Sequence, residues 1–336
     1  MSASALPFDD VRALIASLPG PDEGVRAIVR AREGQLLKPP GALGRLEALA
    51  EHVAVWQRRT PPRIERPLIA VFAASHGVAA RGVSAYPPEI GRNVLDAIAA
   101  GGAAICQFAR MAGAGLKVFD LALDAPTPDI AESDALDERA CVATMAFGME
   151  ALAEGCDLLV LGEVGIGNTT VAAAMAHGLY GGAPADWTGP GTGVAGAALA
   201  AKVAAVEAAV ARCAGGLDDG LEVLRRLGGR EFAAMAGAIL AARQQRAPVI
   251  LDGYAATMAA AVLHAVNPNA VAHCIAGHVS AEPAHRAVLA RMGLEPVLDL
   301  GMRLGEGTGG AVALQVVKCA VAAHAGMATF GEAGLG

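Results

Sequence analysis

Three short segments of this chain gather residue types that do chemistry. The first is GEVGIGNTT at 162–170, a glycine-rich turn feeding a helical pattern. Gly162, Gly165 and Gly167 would let the backbone approach a ligand, and Thr169 or Thr170 could cap the helix that follows. Free N–H groups and a helix dipole then make an anion site. Glu163 is an unusual residue for a turn that is purely structural. The spacing approaches a P-loop, but Asn168 stands where that motif needs lysine, which argues against a nucleotide triphosphatase. The second segment is RLGEGTGG at 303–310, where Gly305 and Gly307 flank Glu306. The glycines give this carboxylate room to meet a substrate, and burial would raise its pKa toward that of a general base. The alternative is an acid capping the next helix. The third is GPGTG at 189–193, a common loop composition, with Lys202 nine residues beyond it. That lysine reads either as a snorkelling surface residue or as the counter-charge of a phosphate.

His76 and His278 stand among small residues at strand ends, where a histidine bonded to a loop carbonyl is the ordinary case. No GxSxG context supports a serine hydrolase. The eight histidines show no ligand spacing, so no structural metal is expected. The six cysteines are scattered without a CxxC pair, as expected of small buried hydrophobes in a reducing compartment.

Positioning these groups requires a sheet. Segments 67–74, 116–122, 157–161, 248–251, 271–276 and 296–300 are short apolar runs ending in turn signals, the pattern of buried parallel strands. Alanine-rich helical stretches such as 90–112 and 195–213 lie between them. The alternation predicts an α/β fold: a doubly wound, mainly parallel sheet of about six strands with helices on both faces. The residues 66–310 would form the sheet domain. Segments 1–65 and 311–336 read as helical and would pack together as a small second domain. Polar residues fall just past the strands: Ser75 and His76, Glu163, Asp252, Ser280, then Arg303 and Glu306. Ligands of open α/β sheets bind beyond the carboxyl ends of the strands, so these segments converge on one edge.

Composition excludes some partners. Hydrophobic residues make up 54% of the 336 and aromatics only 4%, so alanine and branched aliphatics build the core. The apolar stretches at 255–266 and 310–317 fall short of the ~20 residues that span a bilayer. The N-terminal MSASALPFDDVRALI lacks a basic region before an apolar core, which argues against a secretory signal. A formal charge of −7 without a basic stripe makes nucleic acid an unsuitable partner.

Taken in order, these motifs resemble the nicotinate-nucleotide:dimethylbenzimidazole phosphoribosyltransferases of cobalamin biosynthesis. The matching stretches are LKPPGALGRLE at 37–47, HGV at 76–78, GVS at 82–84 and GEVGIGNTT at 162–170. They continue with LDGY at 251–254, HVSAE at 278–282 and RLGEGTG at 303–309. The resemblance runs from about residue 10 almost to the C-terminus. It implies a cytoplasmic homodimer with no cofactor, in which nicotinate mononucleotide donates phosphoribose to 5,6-dimethylbenzimidazole. Nicotinate and α-ribazole phosphate are the products, with inversion at the anomeric carbon.

By the same resemblance Glu306 takes the azole proton; a carboxylate near the ribose would also steady charge developing at the anomeric carbon, and Glu163 is the candidate for that role. Glu163, Val164 and Gly165, with Lys202, Ser280, Leu304 and Gly305, would line the ribose phosphate and base pockets. Gly167, Asn168, Thr169 and Asp252 join them as substrate-binding candidates. Ser75, Tyr86 and the stretch after Pro88 are expected at the acceptor. The family pattern is departed from at Ser75, usually aspartate, at Val164, often Met or Leu, and at Pro190. Benzimidazole, adenine or a phenolic acceptor therefore stay open. The competing classes are a P-loop-like nucleotide-binding enzyme and a non-catalytic azole- or nucleotide-binding member of the fold.

Overall fold

Five parallel strands carry the site: β1 (Pro67–Ala73), β2 (Gly115–Asp120), β3 (Leu158–Val164), β4 (Val249–Leu251) and β5 (Cys274–Ala276). A computed structural model describes residues 7–213 and 215–335, so the first six residues of the N-terminal stretch lie outside it. The order is β2-β1-β3-β4-β5. The chain leaves β1 toward one edge and returns for β3 on its other side, which opens a crevice between the carboxyl ends of β1 and β3. In the β1–β3 register Phe72 lies opposite Glu163 and Ala73 opposite Val164.

Strand side chains alternate between two cores, as the two-residue period dictates. Leu68, Ala70, Phe72, Leu159 and Leu161 point into one, with the helices Glu138–Glu150, Arg230–Gln244 and Tyr254–Val266. Ile69, Val71, Ala73, Leu158 and Val160 point into the other, beside the helices Arg45–Gln57, Ala104–Ala112 and Thr308–Gly326. The shortage of aromatics is met by close helix contact. A Cβ on Gly148 would lie 1.9 Å from the Ala234 carbonyl, and one on Gly237 1.9 Å from that of Met145. Only glycine at both crossings lets Glu138–Glu150 and Arg230–Gln244 approach so far.

The two chain ends meet. Leu36 and Thr329 form an antiparallel bridge, and Arg32 donates to the carbonyls of His324, Ala325 and Met327. The helix Thr308–Gly326 packs on Arg45–Gln57 while also covering β3 and β4.

Several expectations need correction. The segment 296–300 is not a sixth strand: it makes a single parallel bridge, Leu298 with His278, past the end of β5. Pro296 has no N–H for a ladder, and β5 is itself only three residues long. Val271 closes the short 3-10 turn Pro268–Val271 rather than opening β5. The 90–112 stretch breaks into Ile90–Ala99 and Ala104–Ala112, because the chain turns at Gly101 with φ 78°. By length and composition Ile90–Ala112 and Thr308–Gly326 both suffice to cross a membrane, contrary to the shorter stretches read from sequence. The first is interrupted at that turn, and half of the second's apolar window is buried as a core helix. Of the six free cysteines, five are buried and Cys319 is exposed.

Candidate active site

A cavity of about 340 Å³ opens at the carboxyl ends of the strands. The turn after β3 supplies Glu163, Val164, Gly165, Ile166, Asn168 and Thr169. Arg303, Leu304, Gly305 and Glu306 form a second wall, and His278, Ser280 and Glu282 a third. Tyr86, Ile90 and Val94 close the apolar end, and Gly191, Thr192 and the start of the Tyr254–Val266 helix complete the lining. Ten of the fourteen candidates named from sequence meet here.

Glu306 is held in an unusual way. Its backbone has φ 61°, between Gly305 at 85° and Gly307 at 83°. A side chain in the left-handed region costs about 1 kcal/mol or more, and such residues persist where the surroundings enforce them. The enforcement is visible. The Glu306 N–H donates to the Glu163 carbonyl at 3.0 Å. Gly162 abuts the same loop, since a Cβ there would lie 2.2 Å from the Gly307 nitrogen. Glu306 itself is only 8% exposed, and its Oε2 is buried without a hydrogen-bond partner. Burial raises its pKa above the ordinary carboxylate range. The backbone amide of Ile105 pulls the other way, and the charge of Asp252 adds to the rise.

The capping alternative for Glu306 is answered by Asp252. The helix Thr308–Gly326 has Gly307 at its N-cap, with no cap from its own side chain. Asp252, 1% exposed, accepts from the amides of Gly307 at 3.2 Å and Gly310 at 2.8 Å. His278 Nε2 lies 3.6 Å from Asp252 Oδ1. Asp252 therefore spends both oxygens on the loop that carries Glu306 and does not line the cavity.

Glu163 faces the same space. Burial, reinforced by the charges of Asp252, Glu231 and Glu306, pushes its pKa well above the usual range, against a hydrogen bond from Asn168 Nδ2 to Oε2. Asn168, standing where a P-loop would have lysine, is thus the partner of this carboxylate. The expected threonine cap of the Asn168–Tyr180 helix is not made: Gly167 is the N-cap, and Thr170 Oγ1 is buried without a partner. Thr169 Oγ1 instead accepts from Lys202 Nζ at 2.8 Å.

Lys202 is neither snorkelling nor in the cavity. It is fully buried and gives its second hydrogen bond to the Gly189 carbonyl at 2.8 Å. Burial lowers its pKa to about 8, opposed by the charge of Glu282. Ser280 is fixed through its backbone, whose N–H donates to His285 Nδ1 at 2.8 Å, while Nε2 of that ring meets Thr257 Oγ1 at 2.8 Å.

Ser75 is not brought to the cavity. Its hydroxyl donates to the Leu123 carbonyl at 2.7 Å, and it lines a separate hollow with His76, Pro88 and Arg92. His76 is bonded not to a loop carbonyl but to Glu231, 2.6 Å away and fully buried. The 37–47 motif is also elsewhere, closed on itself by the Lys38–Glu47 ion pair at 2.6 Å. Among the described residues no His, Cys, Asp or Glu cluster could hold a metal ion. Glu282 and Thr192 are not singled out as site residues by the sequence, although Thr192 lies in the GPGTG loop. The only signal for Glu282 was its place in the HVSAE motif.

Placed at a topological switch point, beside a helix N-terminus and lined by three carboxylates, this cavity suits group transfer at a sugar phosphate. A family model described as Phosphoribosyltransferase matches residues 18–335, and the chain belongs to that family. Its curated relatives carry a narrower name. Proteins of Brucella canis and Rhizobium etli named nicotinate-nucleotide–dimethylbenzimidazole phosphoribosyltransferase are each 59% identical over 335 residues, covering 100% of this chain and 99% of their own. The crystal structure of the Thermus thermophilus protein of that name has a TM-score of 0.86 at 39% identity, covering 94% of this chain and 99% of its own. A second structure from that organism, titled CobT, has a TM-score of 0.87 at 40% identity, with 93% and 99% covered.

Proposed function

We propose that the protein transfers phosphoribose from nicotinate mononucleotide to 5,6-dimethylbenzimidazole, giving α-ribazole 5'-phosphate and nicotinate. The azole nitrogen attacks the anomeric carbon on the face opposite nicotinate, so the configuration inverts. The bond to the pyridinium nitrogen breaks, and its electron pair neutralises that ring without acid assistance. The azole N–H proton passes to Glu306. Glu163 faces the ribose and offsets positive charge developing at the anomeric carbon.

The observation that carries this reading is the unpartnered Oε2 of Glu306. A buried carboxylate oxygen left without a donor costs free energy, and an azole N–H supplies that donor. Tyr86, Ile90, Val94, Val164 and Leu304 offer an apolar slot for a flat base. Asn168, Thr169, Gly191 and Ser280, beside the start of the Asn168–Tyr180 helix, offer donors to a phosphate, with Lys202 behind Thr169. The chemistry as written needs no cofactor. The resemblance on which the reading draws also makes the enzyme a cytoplasmic homodimer, checked by light scattering and fractionation.

The test is release of nicotinate from nicotinate mononucleotide with a panel of acceptors. Release that depends on dimethylbenzimidazole, with α-ribazole phosphate as co-product, is expected. Folded protein that releases nicotinate with no acceptor would overturn the proposal.

A further inference from the structure

The 189–193 loop is held very differently on its two sides. Toward the polar end of the cavity three charged side chains grip it. Lys202 donates to the Gly189 carbonyl, Glu282 Oε1 accepts from the Gly191 N–H at 2.7 Å, and Arg303 Nη1 donates to the Gly191 carbonyl at 2.8 Å. Gly191 has φ 53°, and a Cβ there would lie 2.6 Å from Thr169 Oγ1 and 2.9 Å from Lys202 Nζ. The loop is therefore seated directly on the groups around the phosphate-binding end. Its other side is held by one hydroxyl. Thr192 Oγ1 accepts from the Ala85 N–H at 2.8 Å and lies 3.1 Å from Ser84 Oγ. Those residues immediately precede Tyr86, which closes the apolar end of the cavity.

We propose that Thr192 is a positioning residue that couples the two ends of the cavity, so that a sugar phosphate bound at the Gly191 side orders the Tyr86 side for the aromatic base. This rests on the transferase reading for the identity of the two ligands. The path is short: Lys202 and Arg303 fix the Gly189 and Gly191 carbonyls, and the next residue along the chain bridges to the segment bearing Tyr86. Coupling of this kind is reciprocal, so the base also tightens binding of the sugar phosphate.

Calorimetry on the full chain tests it with two probes that do not react together, ribose 5-phosphate and 5,6-dimethylbenzimidazole. Ribose 5-phosphate is expected to tighten binding of the base about tenfold. Thr192→Val should reduce that effect to less than about twofold, and Thr192→Ser, which keeps the hydroxyl, should restore it. By the same reciprocity Thr192→Val should weaken binding of ribose 5-phosphate about tenfold when the base is present, while leaving its affinity in the absence of the base unchanged. Equal coupling in the unsubstituted protein and Thr192→Val, no coupling in the unsubstituted protein, or no rescue by serine would each overturn the proposal. Coupling that Thr192→Val abolishes supports the bridge even if no nicotinate is released, so the bridge and the transferase reading fail separately.

Discussion

The Glu306 N–H donates to the carbonyl of Glu163 at 3.0 Å, so two of the cavity's three carboxylates hang from one hydrogen-bonded pair of backbone groups. The strand that ends at Glu163 positions the loop that bears Glu306, and neither residue can shift alone. The consequences can be measured.

The first concerns pH. Burial and the charge of Asp252 raise the Glu306 pKa. A general base works deprotonated, so kcat/KM of the free enzyme should fall as pH drops through a value above the ordinary carboxylate range. Asp252→Asn removes the like charge, so the acid limb should move to lower pH. Asparagine can accept at only one of its two positions, so one of the two amides it serves loses its partner, at about 1–3 kcal/mol of stability. An acid limb unmoved by Asp252→Asn would show that Asp252 does not tune Glu306.

Glu163 should trade stability against activity. Its folded-state pKa is raised, so the folded protein binds that proton more tightly than the unfolded chain does. Stability is therefore lost as pH rises from the ordinary carboxylate range through the raised value. Glu163→Gln should raise the Tm at neutral pH by on the order of 2 °C, with the gain vanishing toward pH 4 where glutamate is itself neutral. On the proposed mechanism the same substitution should lower kcat about a hundredfold, because it removes the carboxylate assigned to the developing charge. Thermal melts at the two pH values, beside steady-state rates, check both parts.

Close backbone approach predicts a third effect. A Cβ at Gly162 would sit 2.2 Å from the Gly307 nitrogen. Gly162→Ala should cost about 1–3 kcal/mol by overpacking and should also displace the loop that carries Glu306. Loss of kcat beyond the loss of folded protein is the expected result. An alanine variant with unchanged melting and turnover would mean that the contact between β3 and the loop is not tight.

Much of this site could be read from residue types. The apolar runs ending near Ala73, Glu163 and Leu251 marked strands because buried parallel strands carry no other signal. The glycines around Glu163 and Glu306 marked places where backbone meets backbone or ligand. Partner choice was not legible. From sequence Asp252 reads as a substrate contact, and only the approach of Gly307 and Gly310, more than fifty residues away, makes it a cap. Lys202 reads either as a surface lysine or as the counter-charge of a phosphate, and only folding puts Thr169 and Gly189 against its ammonium group. The segment at 296–300 had strand composition, but a ladder needs a neighbour of matching length, and β5 ends too soon.

The most direct test of the account is turnover by Glu306→Gln, in protein shown by circular dichroism and melting to be folded. With Glu306 as the base, kcat for nicotinate release is expected to fall about 10²–10⁴-fold while KM for nicotinate mononucleotide changes little. Turnover near that of the unsubstituted protein would contradict it, because the azole proton would then be leaving by another route.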